Sequence, residues 1–186
     1  VQYLDLLGQW DEALRTGQAA LERARLAEDT MTAVDLLIFP ITWVLRLRRR
    51  LGEAEQAIRE AIELAEREGD SGRQCDALVE YSRVLRAAGQ VDQASATCEQ
   101  ALALSEGVDP AYRVYVRANI EYELGKVARD RADWARASEH FLAVRAQLLG
   151  LRRAVGDRQH HPFALAVDVG ARQGLAVDLA NRFLLG

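Results

Sequence analysis

Apolar residues return along this chain at intervals of three and four, the spacing of one face of an α-helix. Leu78, Tyr81 and Leu85 make one such run, and Val91, Ala94, Cys98 and Ala101 make the next. Residues that start helices stand between the runs. Asp109-Pro110 is an N-cap followed by proline at the first helical position, and Ser71 with Gln74 has the spacing of a capping box. The pattern predicts the tail of a helix over 1–7 and its partner over 9–28. A long helix from Asp29 or Thr30 to Arg50 follows, kinked at Pro40. Further helices are predicted over 53–68, 71–88, 90–106, 110–130 and 133–153. A loop over 156–162 and a last helix over 163–185 complete an all-α chain.

A short phrase recurs through these helices. Gly8-Gln9-Trp10-Asp11-Glu12-Ala13-Leu14 returns as Gly52-Glu53-Ala54-Glu55-Gln56-Ala57-Ile58 and as Gly89-Gln90-Val91-Asp92-Gln93-Ala94-Ser95. A looser copy is Ala132-Asp133-Trp134-Ala135-Arg136-Ala137-Ser138. From Ala13 to Ala57, Ala94 and Ala137 the steps are 44, 37 and 43 residues. The glycine is expected to end one helix in a left-handed conformation. The residue two places on (Trp10, Ala54, Val91, Trp134) is expected to pack under the turn, and the recurring alanine to lie where two helices cross.

The phrase resembles the tetratricopeptide repeat, a pair of antiparallel helices per unit. The fourth copy matches most fully, with Leu124-Gly125, Trp134, Ala137 and Phe141 at the family's positions; the third matches with Tyr81, Ser82, Ala94 and Ala101. The steps exceed the family's usual period of about 34 residues. Long helices of this kind are similar to those in the sensor arms of bacterial ATP-dependent transcription regulators resembling the maltose activator. The resemblance implies an α-solenoid with units near 1–28, 29–69, 70–107 and 108–153 and a partial unit over 162–186. Val1, Tyr3, Leu4 and Leu7 at one end, with Leu175, Leu179, Phe183 and Leu184 at the other, would lack neighbours. The chain therefore reads as a slice of a longer array, prone to end-to-end self-association.

Composition narrows the function classes. Hydrophobic residues make up 49% and charged residues 28%, which suits a folded domain. A net charge of -4 argues against direct nucleic-acid binding. Cys75 and Cys98 are too few for a disulfide framework and read as reduced thiols: Cys98 as a buried core thiol, and Cys75 as a partly buried cysteine ahead of the alternative of thiolate character at a helix start; a cytoplasmic location is expected. Arg46, Arg48, Arg49 and Arg50 interrupt the best apolar run, so no stretch is expected to approach the roughly 18 residues of a membrane span.

The chemistry that stands out is cationic. In the tetratricopeptide register the first helix of each unit lines a concave groove, and the resemblance places Arg46 and Arg49, Arg83 and Arg86, and Lys126 and Arg129 there as pairs at i, i+3 spacing. Such a ladder could grip an acidic peptide or a phosphate, because arginine pairs bidentately with either. Alanine at Arg46, Arg83 and Lys126 together should then leave folding nearly intact. The competing reading is a solvated surface neutralised by Glu80, Glu123 and Asp130. Phe39, Trp43, Asp76, Asn119 and Tyr122 fall at other groove positions, where an aromatic could hold an apolar anchor.

His140, His160 and His161 lack the spacing of a zinc site, and no metal or other cofactor is expected. Gly170 and Gly174 suit close helix packing, and no nucleophile motif or phosphate loop is present, so no catalytic residues are assigned. The expectation is a non-catalytic scaffold that binds a protein or peptide partner, acidic in character. The alternative is a sensor domain that closes around a small-molecule inducer.

Overall fold

The computed structural model describes residues 2–155, with side chains described over 9–147 and at 149. Among the described residues there are helices and short turns and no strand. The helices are α1 (Gln2–Leu26), α2 (Thr30–Leu36), a π-helical segment (Leu37–Thr42), α3 (Trp43–Leu47), α4 (Leu51–Arg67) and α5 (Ser71–Ala87). They continue with α6 (Val91–Leu104), a short 3-10 turn (Ser105–Gly107), α7 (Pro110–Asp130) and α8 (Trp134–Val155). Contacts group Val1–Val144 into one compact unit and Arg145–Gly186 into a second. The predicted loop over 156–162 and helix over 163–185 lie outside the described residues.

One turn recurs. A residue in the left-handed region is followed by a helix cap and then by the first helical residue. The left-handed residues are Glu28 (φ 54), Arg49 (φ 58), Gly69 (φ 69), Gly89 (φ 79) and Ala132 (φ 59). Asp29 and Asp70 cap the helices after two of them, accepting from the backbone N–H of Thr32 and Arg73. Asp133 accepts in the same way from Arg136, and Asp109 from Ala111 with Pro110 at the first helical position. The last is as expected. The cap of α5 is Asp70, where the capping-box spacing points to Ser71, because the aspartate carboxylate is placed to meet the third N–H and Ser71 is already helical.

This turn resets the register of the repeated phrase. Gly89 forms the turn before α6, but its counterpart before α4 is Arg49; Gly52 lies in the first turn of α4. The alanine equivalent to Ala94 is therefore Ala54, not Ala57. Ala54 and Ala94 are fully buried and Ala137 nearly so, whereas Ala57 is half-buried. From Ala54 to Ala94 to Ala137 the steps are 40 and 43 residues, more even than the phrase suggested. Gly8 likewise ends nothing, since α1 runs through it, and the expected pair of helices over 1–28 is one helix. Trp134 packs under no turn and is 67% exposed.

Pro40 does more than kink its helix. Proline lacks the N–H that the helix needs and drives the preceding residue into the extended region. Phe39 accordingly takes φ -145 and ψ 125 and separates α2 from α3. The break is covered by α1, where a Cβ on Gly17 would come within 2.8 Å of the Pro40 ring. The stretch Thr30–Leu47, 18 residues of mean hydropathy 1.5, is long and apolar enough to cross a membrane by length and composition, which corrects the expectation that none comes close. Here it is interrupted at Phe39, and Val34, Leu37, Ile41, Val44 and Leu45 are buried in the core.

Consecutive helices pack on one another, α4 on α5, α5 on α6, and both α5 and α6 on α7. One core cluster joins α1, α2, α3 and α4 to Ala77 and Val84 of α5, and a second joins α5, α6 and α7 around Cys75, Leu78, Cys98, Val116 and Ile120. Fully buried Leu37, Ile58, Leu85 and Ile120 each contribute roughly 1.5–3 kcal/mol. On α7, Gly125 admits the ring of Phe141 from α8 to 2.6 Å from where a Cβ would stand. The register can be tested: in urea denaturation Ala94→Leu and Ala54→Leu should each lose about 1–3 kcal/mol by overpacking, with Ala57→Leu losing clearly less. Equal losses at positions 54 and 57 would restore the register of the glycine phrase.

Candidate functional site: the charged face of α3, α5 and α7

Counted from the left-handed turn residue, the cations fall into two rows. Arg46, Arg86 and Arg129 stand three residues before Arg49, Gly89 and Ala132. Trp43, Arg83 and Lys126 stand six before, and Pro40, Glu80 and Glu123 nine before. The expected pairing of Arg46 with Arg49 on one helix face is therefore corrected: α3 ends at Leu47, and Arg49 occupies the turn, exposed and without an ion pair among the described residues. Arg46 instead corresponds to Arg86 and Arg129, and an aromatic residue takes the place of the first cation in the other row.

The remaining cations are tied to carboxylates across the helices. Glu123 on α7 accepts from Arg83 Nε at 2.9 Å and Arg86 Nη1 at 3.1 Å, and Lys126 Nζ lies at 3.3 Å. Glu80 on α5 accepts from Arg46 Nε at 2.8 Å and from Arg83 Nη1 at 3.0 Å. Arg86 also donates to Asp130 Oδ2 at 2.7 Å, and Arg129 meets Asp130 at 3.3 Å. The chain of contacts runs without a gap from α3 through α5 to α7.

Burial sets the strength of this network. Glu123 is 0% and Glu80 3% exposed. Burial alone would raise the Glu123 carboxyl, but the charges of Arg83, Lys126 and Arg86, with the hydrogen bond from Arg83, outweigh it and hold the group at about 2. Burial would likewise weaken the hold of Arg83 on its proton, yet Glu123 and Glu80 raise it. Neutralisation by Glu80, Glu123 and Asp130 is what the side chains display, although Glu80 and Glu123 are buried and only Asp130 is exposed to solvent. Among the described residues five cations (Arg46, Arg83, Arg86, Lys126, Arg129) share three carboxylates (Glu80, Glu123, Asp130), so positive charge is in excess among these eight side chains.

Other expected groove residues are distributed around it. Tyr122 has the Lys126 ammonium 4.4 Å from its ring centre and Phe141 at 5.8 Å. Asn119 is half-buried on α7. Trp43 faces Trp10 at 4.7 Å and Phe39 at 5.0 Å, so it belongs to an aromatic cluster with a partly exposed Phe39. A second set of contacts was not foreseen. Arg73 holds Asp35 of α2 at 2.7 Å and its own cap Asp70 at 2.8 Å, and the Tyr112 hydroxyl donates to Asp76 at 2.5 Å. The i, i+3 spacing of Asp70 and Arg73 was a usable signal; the link to Tyr112 had none.

The thiols are core residues. Burial pushes Cys75 up to about 12 and Cys98 up to about 11, so the helix start confers no thiolate character on Cys75. His140 lies 2.7 Å from Glu121, while His160 and His161 are outside the described residues. Among the described residues no group of three histidine, cysteine or carboxylate side chains could hold a metal ion. No protein-family model matches the chain, and no curated protein matches it.

These contacts revise one expectation: alanine at Arg46 and Arg83 would leave buried Glu80 without either of its cations, and with Lys126 also replaced Glu123 would keep only Arg86, so the triple variant should be destabilised. Glu123→Gln isolates the effect and should cost about 3–5 kcal/mol by urea denaturation, since it unpairs buried cations. The group's folded value lies below its unfolded one, so its stabilisation is complete above about pH 4.5 and disappears towards pH 2. That loss, roughly 3 kcal/mol, should be present in the wild type and missing from Glu123→Gln.

Proposed function

We propose that the chain is a non-catalytic binding scaffold of the tetratricopeptide type, in which units near 29–69, 70–107 and 108–153 follow one another as a solenoid. The recurring left-handed turn, the alanines at 54, 94 and 137, and the packing of α5 against α7 support that arrangement. The observation that carries the functional reading is the laced cationic face. Its guanidinium groups are held in place by buried carboxylates before any ligand arrives, and the face is positive on a chain whose net charge is -4. A preordered face loses little side-chain entropy on binding. An acidic peptide or partner protein suits it.

The inducer-sensor reading needs an enclosed apolar pocket. A cavity of about 370 Å³ is lined instead by turn residues, Asp70, Ser71, Gly107 and Asp109 among them, with Tyr112 at its edge. That cavity is open and its lining mixes polar and apolar groups, which leaves the sensor reading as the second choice. The scaffold fits a cytoplasmic regulatory arm of a larger bacterial protein.

Site-specific photo-cross-linking tests the reading without disturbing the buried network. A photoreactive residue replaces exposed Arg129 or Arg49 in one pair of variants, and exposed Gln56 or Ala96 in the other. The same partner should be captured from positions 129 and 49 and not from 56 and 96, with capture weakened by salt. Capture from 56 and 96 alone would move the binding surface to α4 and α6. No protein captured from any position would favour a small-molecule ligand.

A further inference from the structure

Counted back from the recurring turn, the charged face changes chemistry along its length. Six residues before the turn stand Trp43, Arg83 and Lys126, and ten before it stand Phe39, Val79 and Tyr122. Val79 is buried in the core, and Tyr122 packs on Phe141 with the Lys126 ammonium over its ring. Beside α3 both places hold aromatic rings in contact, Phe39 and Trp43 at 5.0 Å between centres, and Phe39 is 51% exposed. The pair is held in place. Trp10 of α1 meets the Trp43 ring at 4.7 Å, and Pro40, next to Phe39 in the chain, is seated against Gly17 of α1. One turn after Trp43, Arg46 is bonded to Glu80, which also holds Arg83. The rings and the cations are thus tied together through α3 and α5.

We infer that Phe39 and Trp43 form an apolar anchor site at one end of the cationic face, and that the partner is an acidic peptide segment ending in one bulky apolar residue. The inference rests on the reading of that face as the surface that binds an acidic partner. Continuity with the cations says what covers the rings. A peptide whose carboxylates lie along Arg129, Lys126 and Arg86 reaches, at α3, a place where a ring stands in the row of Arg83 and Lys126. A carboxylate set over Phe39 and Trp43 would lose water and gain no cation, whereas an apolar side chain there removes itself and the exposed ring from water together. Spacing follows from the packing. Neighbouring helices stand about 8–10 Å apart and an extended chain advances about 3.3 Å per residue, so each helix corresponds to about three residues of ligand. Acidic residues about three and six places from the apolar one therefore face α5 and α7.

Fluorescence anisotropy on the full chain tests this with two labelled peptides, leucine joined to six glutamates and the same peptide with serine for leucine. Each is made with that residue at either end. Leucine should tighten binding about tenfold in one of the two directions. The gain should survive added salt, while the binding that both peptides share should weaken. Phe39→Ser should abolish the gain and leave the serine peptide's affinity unchanged, and Phe39→Leu should keep most of it. A second readout leaves Phe39 intact. In a Trp134→Gln background, which removes the exposed tryptophan of α8, the leucine peptide at saturation should shield tryptophan emission from acrylamide better than the serine peptide does. Equal affinity for the two peptides, or a gain that outlives Phe39→Ser, would overturn the anchor and leave the scaffold reading standing. Binding of neither peptide would overturn both. Self-association of the free chain that Phe39→Ser abolishes would assign the rings to a second copy and likewise sink the anchor.

Discussion

A carboxylate with no solvent exposure, Glu123, is the constraint around which the charged half of this protein is organised. Removing such a group from water is costly unless several donors meet it at once. Three cations do so, two from α5 and one from its own helix, and their geometry is possible only if α5 and α7 lie in one relative register. Glu80 repeats the arrangement one step earlier, between α3 and α5. Apolar contacts among Leu78, Cys98, Val116 and Ile120 supply non-directional attraction, and sliding by one helical turn would forfeit only part of it. The ion pairs make that slide unfavourable, because it would leave a buried charge without a partner.

The interface between α5 and α7 thus carries two chemistries along its length. Towards the C-terminal ends of both helices, Arg83, Arg86, Glu123 and Asp130 form a connected ion-pair network. Towards the N-terminal ends, the contact is a carboxyl and a phenol, with the local arginine diverted to Asp35 and Asp70. One end is locked by compensated charge and the other depends on a group that burial drives towards neutrality. The register of the two helices is held at the ionic end.

The helices were legible in the sequence because their signals are local. Asp109-Pro110 fixed the start of α7 unaided, and apolar spacing located α4, α5 and α6 within a few residues. The register was less legible because glycine is not a dependable mark of the turn. Glycine tolerates a left-handed backbone best, but Glu28, Arg49 and Ala132 adopt it here too, held by the backbone hydrogen bonds that close each helix. The better signal was the aspartate after the turn, in Glu28-Asp29-Thr30, Gly69-Asp70-Ser71 and Ala132-Asp133-Trp134, a side chain with a defined bond to make. Arg49 entered the ladder through that three-residue error. The cations at 46, 83, 86, 126 and 129 and the carboxylates at 80, 123 and 130 were readable by spacing, but the cross-helix pairings of Arg46, Arg83 and Arg86 were not, since those partners lie 34, 40 and 44 residues away in sequence.

Internal pairing changes what an acidic ligand could gain here. A ligand carboxylate that displaced Glu123 from its cations would leave that group buried and unpaired, a penalty larger than one added ion pair returns. Binding must therefore use the positive excess rather than the network's interior. That excess is most accessible at Arg129, which is 43% exposed and shares Asp130 with Arg86, and at Arg49 in the turn after α3. Between them, Arg46, Arg86 and Lys126 keep some exposed surface while their carboxylate partners hold them in position. Attraction from these groups is long-ranged and screened by salt, whereas the buried carboxylates behind them are shielded from it. The same glutamates that lock the helices together thus determine which cations a partner can reach, and they favour a ligand that lies along the face over one that inserts into it.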